Sequence, residues 1–416
     1  MLKKIKIKVF EWLKLGGRYL KTDLVYFAKG GFWLGSGFGV SMIGTFIMSL
    51  VFANYFPKDS YGSYKYIMSL AGITSAFYLT GLGTIVAQSV SRGFEGTMYA
   101  AIKTGFKWSF IPTSISLAIS AYYFLNQNYT LGISLLFPAL LSPITTNLSL
   151  YGAFLTGKKE FKTSTTYGVT SGLFTNAVMI VTILLTGSPV YVVGSYFLSN
   201  AIMVTFYYFV TVSKYKPNHD VEKGAIKYGK HLSLMGILGM ISSNIDKILV
   251  FHYLGATPLA IYAFASAPVD QVASMLKTSN SLLIPKIASR SIEDLKKTLP
   301  IKSLKITLLM IIPTVLYILL IPYFYNIFFP QYNEAIIYSQ FLALTLLTYS
   351  KKPLSIAITA HGGKKINYFL SVINPTILLI LKLILLPIWG LAGAVAAEIL
   401  NGFINLILNF YTLRKI

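Results

Sequence analysis

The sequence predicts an all-α integral membrane protein with about 12 transmembrane helices in two six-helix lobes. Of the 416 residues, 55% are hydrophobic and only 12% are charged, whereas soluble domains carry about 25% charged residues. A disordered chain would need low hydrophobicity. The net charge is +23, but the basic residues lie between long apolar segments rather than along one stripe. This distribution argues against nucleic-acid binding. Cysteine is absent, which excludes disulfide frameworks and thiolate metal sites.

Twelve apolar segments are long enough to cross a bilayer, which requires about 20 residues per helix. Short turn sequences such as Gly187-Ser188-Pro189 separate them. The predicted spans are 29–55, 61–91, 98–125, 130–156, 163–186, 190–212, 231–254, 259–287, 306–329, 336–361, 368–388 and 391–411. The connections are short, so no soluble domain is expected between the spans.

The distribution of basic residues predicts the orientation. Both termini and alternate connections hold 29 of the 36 lysines and arginines, whereas the opposite connections hold only Lys58. Because cytoplasmic loops are rich in Lys and Arg, both termini are predicted to be cytoplasmic in a plasma (inner) membrane. Residues 1–28 alternate lysine with apolar residues, which predicts a basic amphipathic segment on the cytoplasmic leaflet.

The two halves are predicted to form a parallel pseudo-repeat. A shift of 198 residues places Tyr55-Phe56 on Tyr253-Leu254, and each pair follows the first span of its half. We therefore predict an N-terminal six-helix lobe over 29–212, a cytoplasmic connection over 213–230 and a C-terminal six-helix lobe over 231–416.

Three short motifs occur in an order that resembles polysaccharide-exporting flippases. The first is the turn 56–64 with Ser69, the second is 244–249 with the downstream Ile261-Tyr262, and the third is the glycine- and alanine-rich stretch 390–397. The whole chain resembles the oligosaccharide flippase branch (Wzx-type, O-antigen flippase-like) of the multidrug/oligosaccharidyl-lipid/polysaccharide exporter superfamily.

This resemblance implies two lobes around a central cavity and a cargo made of a sugar chain on an isoprenoid diphosphate. It implies a transporter that moves this cargo to the outer leaflet by alternating access. The implied partners are membrane lipids and the glycan polymerase or glycosyltransferases of the same pathway, with no nucleic acid. Lipid II flippases usually have two further C-terminal helices that are not found in this sequence, so a peptidoglycan-precursor cargo is not favoured.

Charged residues inside the spans are the candidate site residues, because a charge in the bilayer costs at least a few kcal/mol and usually faces a wet cavity. Apart from the lysines counted with the basic connections, cations in the spans exceed acids six to three, which favours an anionic head group over a cationic drug. The substrate-binding candidates are Lys247, Lys277, Lys351, Lys352, Lys65 and Arg92, the last at the inner mouth. The candidates for binding a coupling proton or cation are Asp270, Glu398 and Asp246.

Several of these residues have a simpler interpretation. Lys382 and Lys65 lie near the outer ends of their spans, so their ammonium groups could reach the interface by snorkelling. Arg92 could form a surface ion pair with Glu95. Asp246 or Lys247 could pair with a neighbouring helix for structure alone.

Two polar stripes and one glycine repeat complete the pattern. The stripes are Asp270, Ser274 and Lys277, and Glu398, Asn401, Asn405 and Asn409. Each has helical spacing and contains a charge, which favours a cavity lining over contacts between helices. Glycines 31, 35 and 39 recur every fourth residue, which favours close helix packing over a point of bending.

No catalytic chemistry is predicted. The four histidines are scattered without metal-ligand spacing, and no Gly-x4-Gly-Lys-Ser/Thr phosphate loop occurs. The sequence therefore predicts no enzyme, cofactor or metal. Two alternatives to a lipid-linked sugar flippase remain: an ion-coupled multidrug or small-molecule exporter of the same fold, and a membrane-embedded glycan polymerase or glycosyltransferase. The second would normally carry a long external loop with Asp, Arg or His.

Overall fold

The computed structural model describes residues 24–278, 283, 287 and 289–416, with only the backbone of 24–30, 277, 278 and 364. In these ranges every regular element is a helix. The predicted all-α architecture with about 12 helices is confirmed.

Six helices form the N-terminal lobe, and three of them are broken into two pieces. They are α1 (Leu24–Tyr55), α2 (Lys58–Ser75 and Gly81–Ser91), α3 (Thr97–Trp108 and Phe110–Leu125), α4 (Tyr129–Leu148 and Leu150–Gly157), α5 (Phe161–Leu185) and α6 (Pro189–Tyr215). Turn residues set several helix starts. The side chain of Asn128, for example, accepts a hydrogen bond of 3.1 Å from the backbone N–H of Leu131 at the start of α4, which caps that helix.

Six further helices form the C-terminal lobe. They are α7 (Ala225–Leu254), α8 (Ala256–Thr278), α9 (Ile292–Phe328), α10 (Ala335–Leu342, a 3-10 segment over Ala343–Ser350, and Lys351–His361), and α11 and α12, which share Gly363–Lys415 and are separated at Gly390. Gly390 has φ 58°, a left-handed conformation that glycine adopts without the steric cost of a Cβ.

Eight helices in the described ranges are long and apolar enough to cross a membrane, and the last of them contains both α11 and α12. The three remaining predicted spans are α2, α3 and α10. Each of these helices is interrupted, as is α4. The chain is thus a multi-pass membrane protein.

The connections lie at two ends of the bundle. At one end, Lys158 pairs with Glu95 at 2.6 Å and Asn218 Nδ2 donates to the carbonyl O of Gly93. At the other, Lys58 pairs with Glu334 at 3.6 Å. The first is the end at which the connections rich in lysine and arginine meet, and we call it the basic end. The second is called the opposite end.

The two lobes contact each other closely where α2 meets α7 and α8. A Cβ on Gly62 would lie 1.8 Å from the carbonyl O of Ala256, near the opposite end. A Cβ on Gly81 would lie 2.6 Å from the carbonyl O of Gly229, closer to the basic end. Both positions need glycine because the backbones of the two lobes touch there.

The prediction that the glycine repeat of α1 packs closely against another helix is wrong. A Cβ on Gly31, Gly35 or Gly39 would meet no atom within 4 Å. Instead, α1 approaches α5 at other glycines, because a Cβ on Gly37 would lie 2.4 Å from the Thr165 side chain and one on Gly44 would lie 3.0 Å from Asn176. Spacing alone did not reveal which face of α1 is covered.

An aromatic cluster joins the lobes near the opposite end. Phe46 of α1 contacts Phe328 with ring centroids 5.3 Å apart. Tyr61 of α2 contacts Phe264 of α8 at 4.9 Å, and Phe264 stacks on Tyr332 at 3.8 Å. The lobes are therefore packed together at this end.

Candidate functional site

A polar cavity of about 510 Å³ lies within the C-terminal lobe, between α7, α8, α10, α11 and α12. Three lysines and three carboxylates line it. These residues are Lys247, Lys351, Lys352, Asp246, Asp270 and Glu398. Six residues were predicted to bind substrate, and three of them, all lysines, line this cavity. All three acids predicted to bind a coupling ion line it as well.

Neutral hydrogen-bonding groups fill the spaces between the charges. Ser242, Ser243, Thr345, Asn401 and Asn405 also line the cavity. On α12 the stripe that begins at Glu398 is linked internally, since Asn405 Nδ2 donates to Asn401 Oδ1 at 3.1 Å. Such groups can donate and accept hydrogen bonds, which suits hydroxyl-rich ligands.

The two adjacent lysines reach the cavity at a change of helix type. Lys351 and Lys352 begin an α-helix immediately after the 3-10 segment of α10. Helix α9 holds this junction, because Ser303 Oγ donates to the carbonyl O of Ser350 at 2.9 Å and Thr307 Oγ1 donates to Ser350 Oγ at 2.7 Å. These bonds attach the junction between the 3-10 segment and the α-helix to α9.

Lys382 of α11 is buried behind this lining and belongs to a network across four helices. Its Nζ lies 2.6 Å from Glu398 Oε1 on α12 and 3.7 Å from Asp246 Oδ2 on α7. Tyr262 of α8 donates its hydroxyl to the same Asp246 oxygen at 3.3 Å, and Lys247 Nζ lies 3.6 Å from Asp246 Oδ1. The charges of the group are thus paired, as buried charges require.

The prediction that Lys382 extends its ammonium group to the membrane interface is therefore wrong. The residue is 0% exposed, and its ammonium group points at two carboxylates rather than at the end of the helix. Distance from the end of the span was a poor guide, because a carboxylate partner on the next helix lies at the same depth. By contrast, the interpretation that Asp246 pairs with a neighbouring helix agrees with its contact with Lys382.

The remaining candidates lie elsewhere or outside the described side chains. Lys65 of α2 lies over the ring of Tyr61, with 5.2 Å from Nζ to the centroid, and does not line the polar cavity. The side chain of Lys277 is outside the described residues. In the stripe on α8, Asp270 lines the cavity, whereas Ser274 Oγ donates to the carbonyl O of Gln271 at 2.7 Å.

Arg92 lies at the basic end and binds the connection between the lobes. Its guanidinium pairs with Glu222 at 2.5 Å, and Ser89 Oγ donates to the other oxygen of Glu222 at 2.6 Å. Glu95, the partner expected for Arg92, pairs with Lys158 instead. The Ser89 hydrogen bond, followed by the contact with Arg92, holds the pKa of Glu222 below its ordinary value.

A second cavity of about 530 Å³ lies on the other face of α8, between that helix, α1 and α9. Its lining is almost wholly apolar and includes Met42, Phe46, Phe264, Leu316 and Leu320. Residues 262, 266 and 270 of α8 face the polar cavity, and residues 264, 268 and 272 face the apolar one. Leu346 lines both, so the two cavities are neighbours.

The fold is that of a multi-pass membrane protein with two neighbouring cavities, one polar and one apolar. The profile of the family described as polysaccharide biosynthesis protein matches residues 51–349, and the chain belongs to this family. The family predicted from the sequence motifs is thereby confirmed. Among curated proteins, none matches the chain significantly.

Solved structures share the fold at low sequence identity. A lipid II flippase, MurJ, in an inward closed conformation aligns with a TM-score of 0.63 at 15% identity, over 92% of this chain and 87% of that one. An outward-facing multidrug resistance MATE transporter of the MOP superfamily aligns with a TM-score of 0.61 at 14% identity, over 93% of this chain and 95% of that one. A MOP-superfamily transporter from Pyrococcus furiosus, described as having a binding pocket of reverse polarity, aligns with 0.53 at 14%, also over 93% and 95%.

Proposed function

We propose that this protein flips an isoprenoid-diphosphate-linked oligosaccharide from the cytoplasmic to the outer leaflet of the plasma membrane, for surface polysaccharide biosynthesis. One observation carries the proposal. Helix α8 separates a polar cavity lined by three lysines and three carboxylates from an apolar cavity of similar volume. An amphiphilic cargo with an anionic head and an isoprenoid tail matches this pair of environments.

Each part of such a cargo has a chemical counterpart. A lysine ammonium gives a phosphate oxygen a charge-assisted hydrogen bond, and Lys351 and Lys352 provide two adjacent ammonium groups. Serine, threonine and asparagine side chains suit sugar hydroxyls. The tail is expected to remain in lipid, with its first units against the apolar lining that includes Met42 and Leu316.

Alternating access supplies the movement in this proposal. The two lobes would rock about the contact of α2 with α7 and α8, where glycines let the backbones touch. The excess of lysine and arginine at the basic end favours a cytoplasmic location for that end and for both termini. The domain boundaries at 29, 213 and 231 are part of the same proposal.

Asp246, Asp270 and Glu398 all line the polar cavity, and Asp246 and Glu398 also contact Lys382. We assign any ion-coupling role to Asp270 because it lies on α8, the helix between the two cavities. An ion-coupled exporter of cationic drugs is less well supported, because lysines line the cavity and offset its carboxylates. No described feature favours a glycan polymerase or glycosyltransferase.

The test is transport by the purified full chain in proteoliposomes. An isoprenoid-diphosphate oligosaccharide is placed in both leaflets, and its exposure to an impermeant glycosidase is followed over time. We expect hydrolysis beyond the outer-leaflet half of the substrate with protein and none beyond it without protein. Uptake of a cationic dye, with no movement of the lipid-linked sugar, would establish the multidrug function instead.

A further inference from the structure

Four charged groups meet where α7, α11 and α12 come together. Lys382 is 0% exposed, and its Nζ lies 2.6 Å from Glu398 and 3.7 Å from Asp246. Lys247 contacts the second oxygen of Asp246 at 3.6 Å. Two ammonium groups thus accompany two carboxylates, and the cluster is neutral when all four are ionised.

Two carboxylates facing each other in a buried site would require a counter-cation, because isolated buried charges are costly. In many proteins a bound metal ion meets this requirement through oxygen ligands. Here the ammonium group of Lys382 already lies between the two acids, and its ring contact with Tyr262, 5.9 Å from Nζ to the centroid, places it against α8 as well.

We infer that Lys382 is a built-in cation that occupies the position where Asp246 and Glu398 would otherwise bind a free cation from solution. The site therefore links α7, α11 and α12 without an exchangeable ion. The inference concerns the cluster alone and does not depend on which cargo the protein carries.

Geometry supports this inference in two ways. A metal ion needs several oxygen ligands at about 2.0–2.6 Å. The ammonium group of Lys382 lies 2.6 Å from Glu398 Oε1, so it occupies the space beside that oxygen where a metal ion would bind. In the part of the chain that the structure describes, no group of three or more His, Cys, Asp or Glu side chains is placed to hold a metal ion. The acidic pair is held by a side chain instead.

The inference predicts a specific pattern of cation dependence. In the unaltered chain, the thermal unfolding midpoint should be the same in NaCl, LiCl and choline chloride at equal ionic strength. The variant Lys382→Ala should unfold at a lower temperature in choline chloride. Because a ligand that binds only the folded state stabilises it by mass action, Na⁺ or methylammonium should raise that midpoint saturably, by at least about 2 °C.

Two further variants serve as controls. The double variant Lys382→Ala/Glu398→Gln removes one charge of each sign, so it should fold and show no cation response. Lys58→Ala breaks a more exposed lysine–carboxylate pair, with Glu334, and should also show no response.

Two results would overturn the inference. The first is a saturable Na⁺ or Li⁺ stabilisation of the unaltered chain that Asp246→Asn or Glu398→Gln abolishes, since a free ion would then bind beside Lys382. The second is a Lys382→Ala variant as stable as the unaltered chain and indifferent to every cation. If Lys382→Ala does not fold, the measurement on the unaltered chain and the charge-balanced double variant still decide the question.

Discussion

Lys382 and Glu398 are each eight positions from Gly390 in the sequence, and their side chains meet at 2.6 Å. Because α11 and α12 run antiparallel across this glycine, equal separation places the two residues at the same depth. The hairpin is tight, since a Cβ on Gly393 would lie 1.9 Å from the carbonyl O of Leu385. The register of the hairpin therefore determines which charges pair.

This pair predicts strong coupling between two substitutions. Removing one partner of a buried ion pair leaves the other charge uncompensated and costs about 3–5 kcal/mol. Lys382→Met should cost near the lower figure, because the Glu398 side chain is 27% exposed. The double variant Lys382→Met/Glu398→Gln should cost clearly less than the two single variants together, as measured by denaturant unfolding in detergent.

A pair of charged residues at the surface provides the control for this comparison of single and double variants. Arg290, just before α9, and Asp294, in its first turn, are 3.4 Å apart, with side chains 37% and 46% exposed. Arg290→Ala should cost only about 0.5 kcal/mol. Additive effects of the Lys382 and Glu398 substitutions would show that the two residues do not interact energetically.

Much of the fold was predictable from the sequence because hydropathy and length decide where a chain can cross a bilayer. All 12 helices of the described residues were predicted, although the breaks within α2, α3, α4 and α10 were not. The candidate acids and Lys247, Lys351 and Lys352 were predicted because charges in apolar segments are conspicuous. Their grouping in one lobe was only partly predictable, since it depends on which helix faces pack together.

The role of Lys382 was missed although a signal existed. Lys382 and Glu398 are equally far from Gly390 in the sequence. A prediction that residues 368–411 form a helical hairpin about Gly390 would have paired them. The packing glycines of α1 were missed for a different reason. Whether Gly35 or Gly37 touches α5 depends on the rotation of α1 about its axis, and the low amphipathicity of this apolar helix gives no indication of that rotation.

The charge asymmetry predicts the orientation of the chain. Single cysteines placed at residues 94, 159, 219 and 362 at the basic end should react with an impermeant thiol reagent only after the membrane is permeabilised. Cysteines at residues 127, 187 and 331 should react in intact cells. The chain has no native cysteine, so each signal is unambiguous. Labelling of residue 219 in intact cells would contradict the orientation.

The contact between the lobes predicts different effects at two glycines. Gly62→Ala should destabilise the protein by about 1–3 kcal/mol, because its Cβ would collide with backbone of α8 at 1.8 Å. Gly35→Ala is the matched control, since its Cβ would meet no atom within 4 Å. It should be neutral or stabilising by up to about 1 kcal/mol. Unfolding midpoints in detergent would show the difference, and equal effects would contradict the close approach of the lobes.

The contact of Glu222 with Ser89 and Arg92 predicts a pH-dependent stabilisation. The pKa of Glu222 is lowered in the folded protein, so its contribution is present above the ordinary value of 4.5 and is lost as the pH falls through the lowered pKa. Glu222→Gln should therefore lower the unfolding midpoint at neutral pH. The difference from the unaltered chain should vanish in acid, and a difference that grows in acid would contradict the assignment.

The lysines of the polar cavity predict losses of function that depend on position. A charge-assisted hydrogen bond to phosphate contributes about 1.5–3 kcal/mol, so Lys351→Ala or Lys352→Ala should weaken cargo binding roughly ten- to a hundredfold. Lys351→Arg should retain part of the function, because the charge persists while its geometry changes. Surface-glycan display by cells that carry each variant, at matched expression, provides the measurement.

Lys58 is the control for this series, because it pairs with Glu334 at the opposite end and does not line the polar cavity. Lys58→Ala should leave display nearly unchanged. Lys247→Ala should have a mixed effect, since Lys247 both lines the cavity and neutralises Asp246. Its loss should lower stability as well as display. Full display from the Lys247, Lys351 and Lys352 variants would show that these charges serve the structure alone, and the cargo would then have to be recognised outside this cavity.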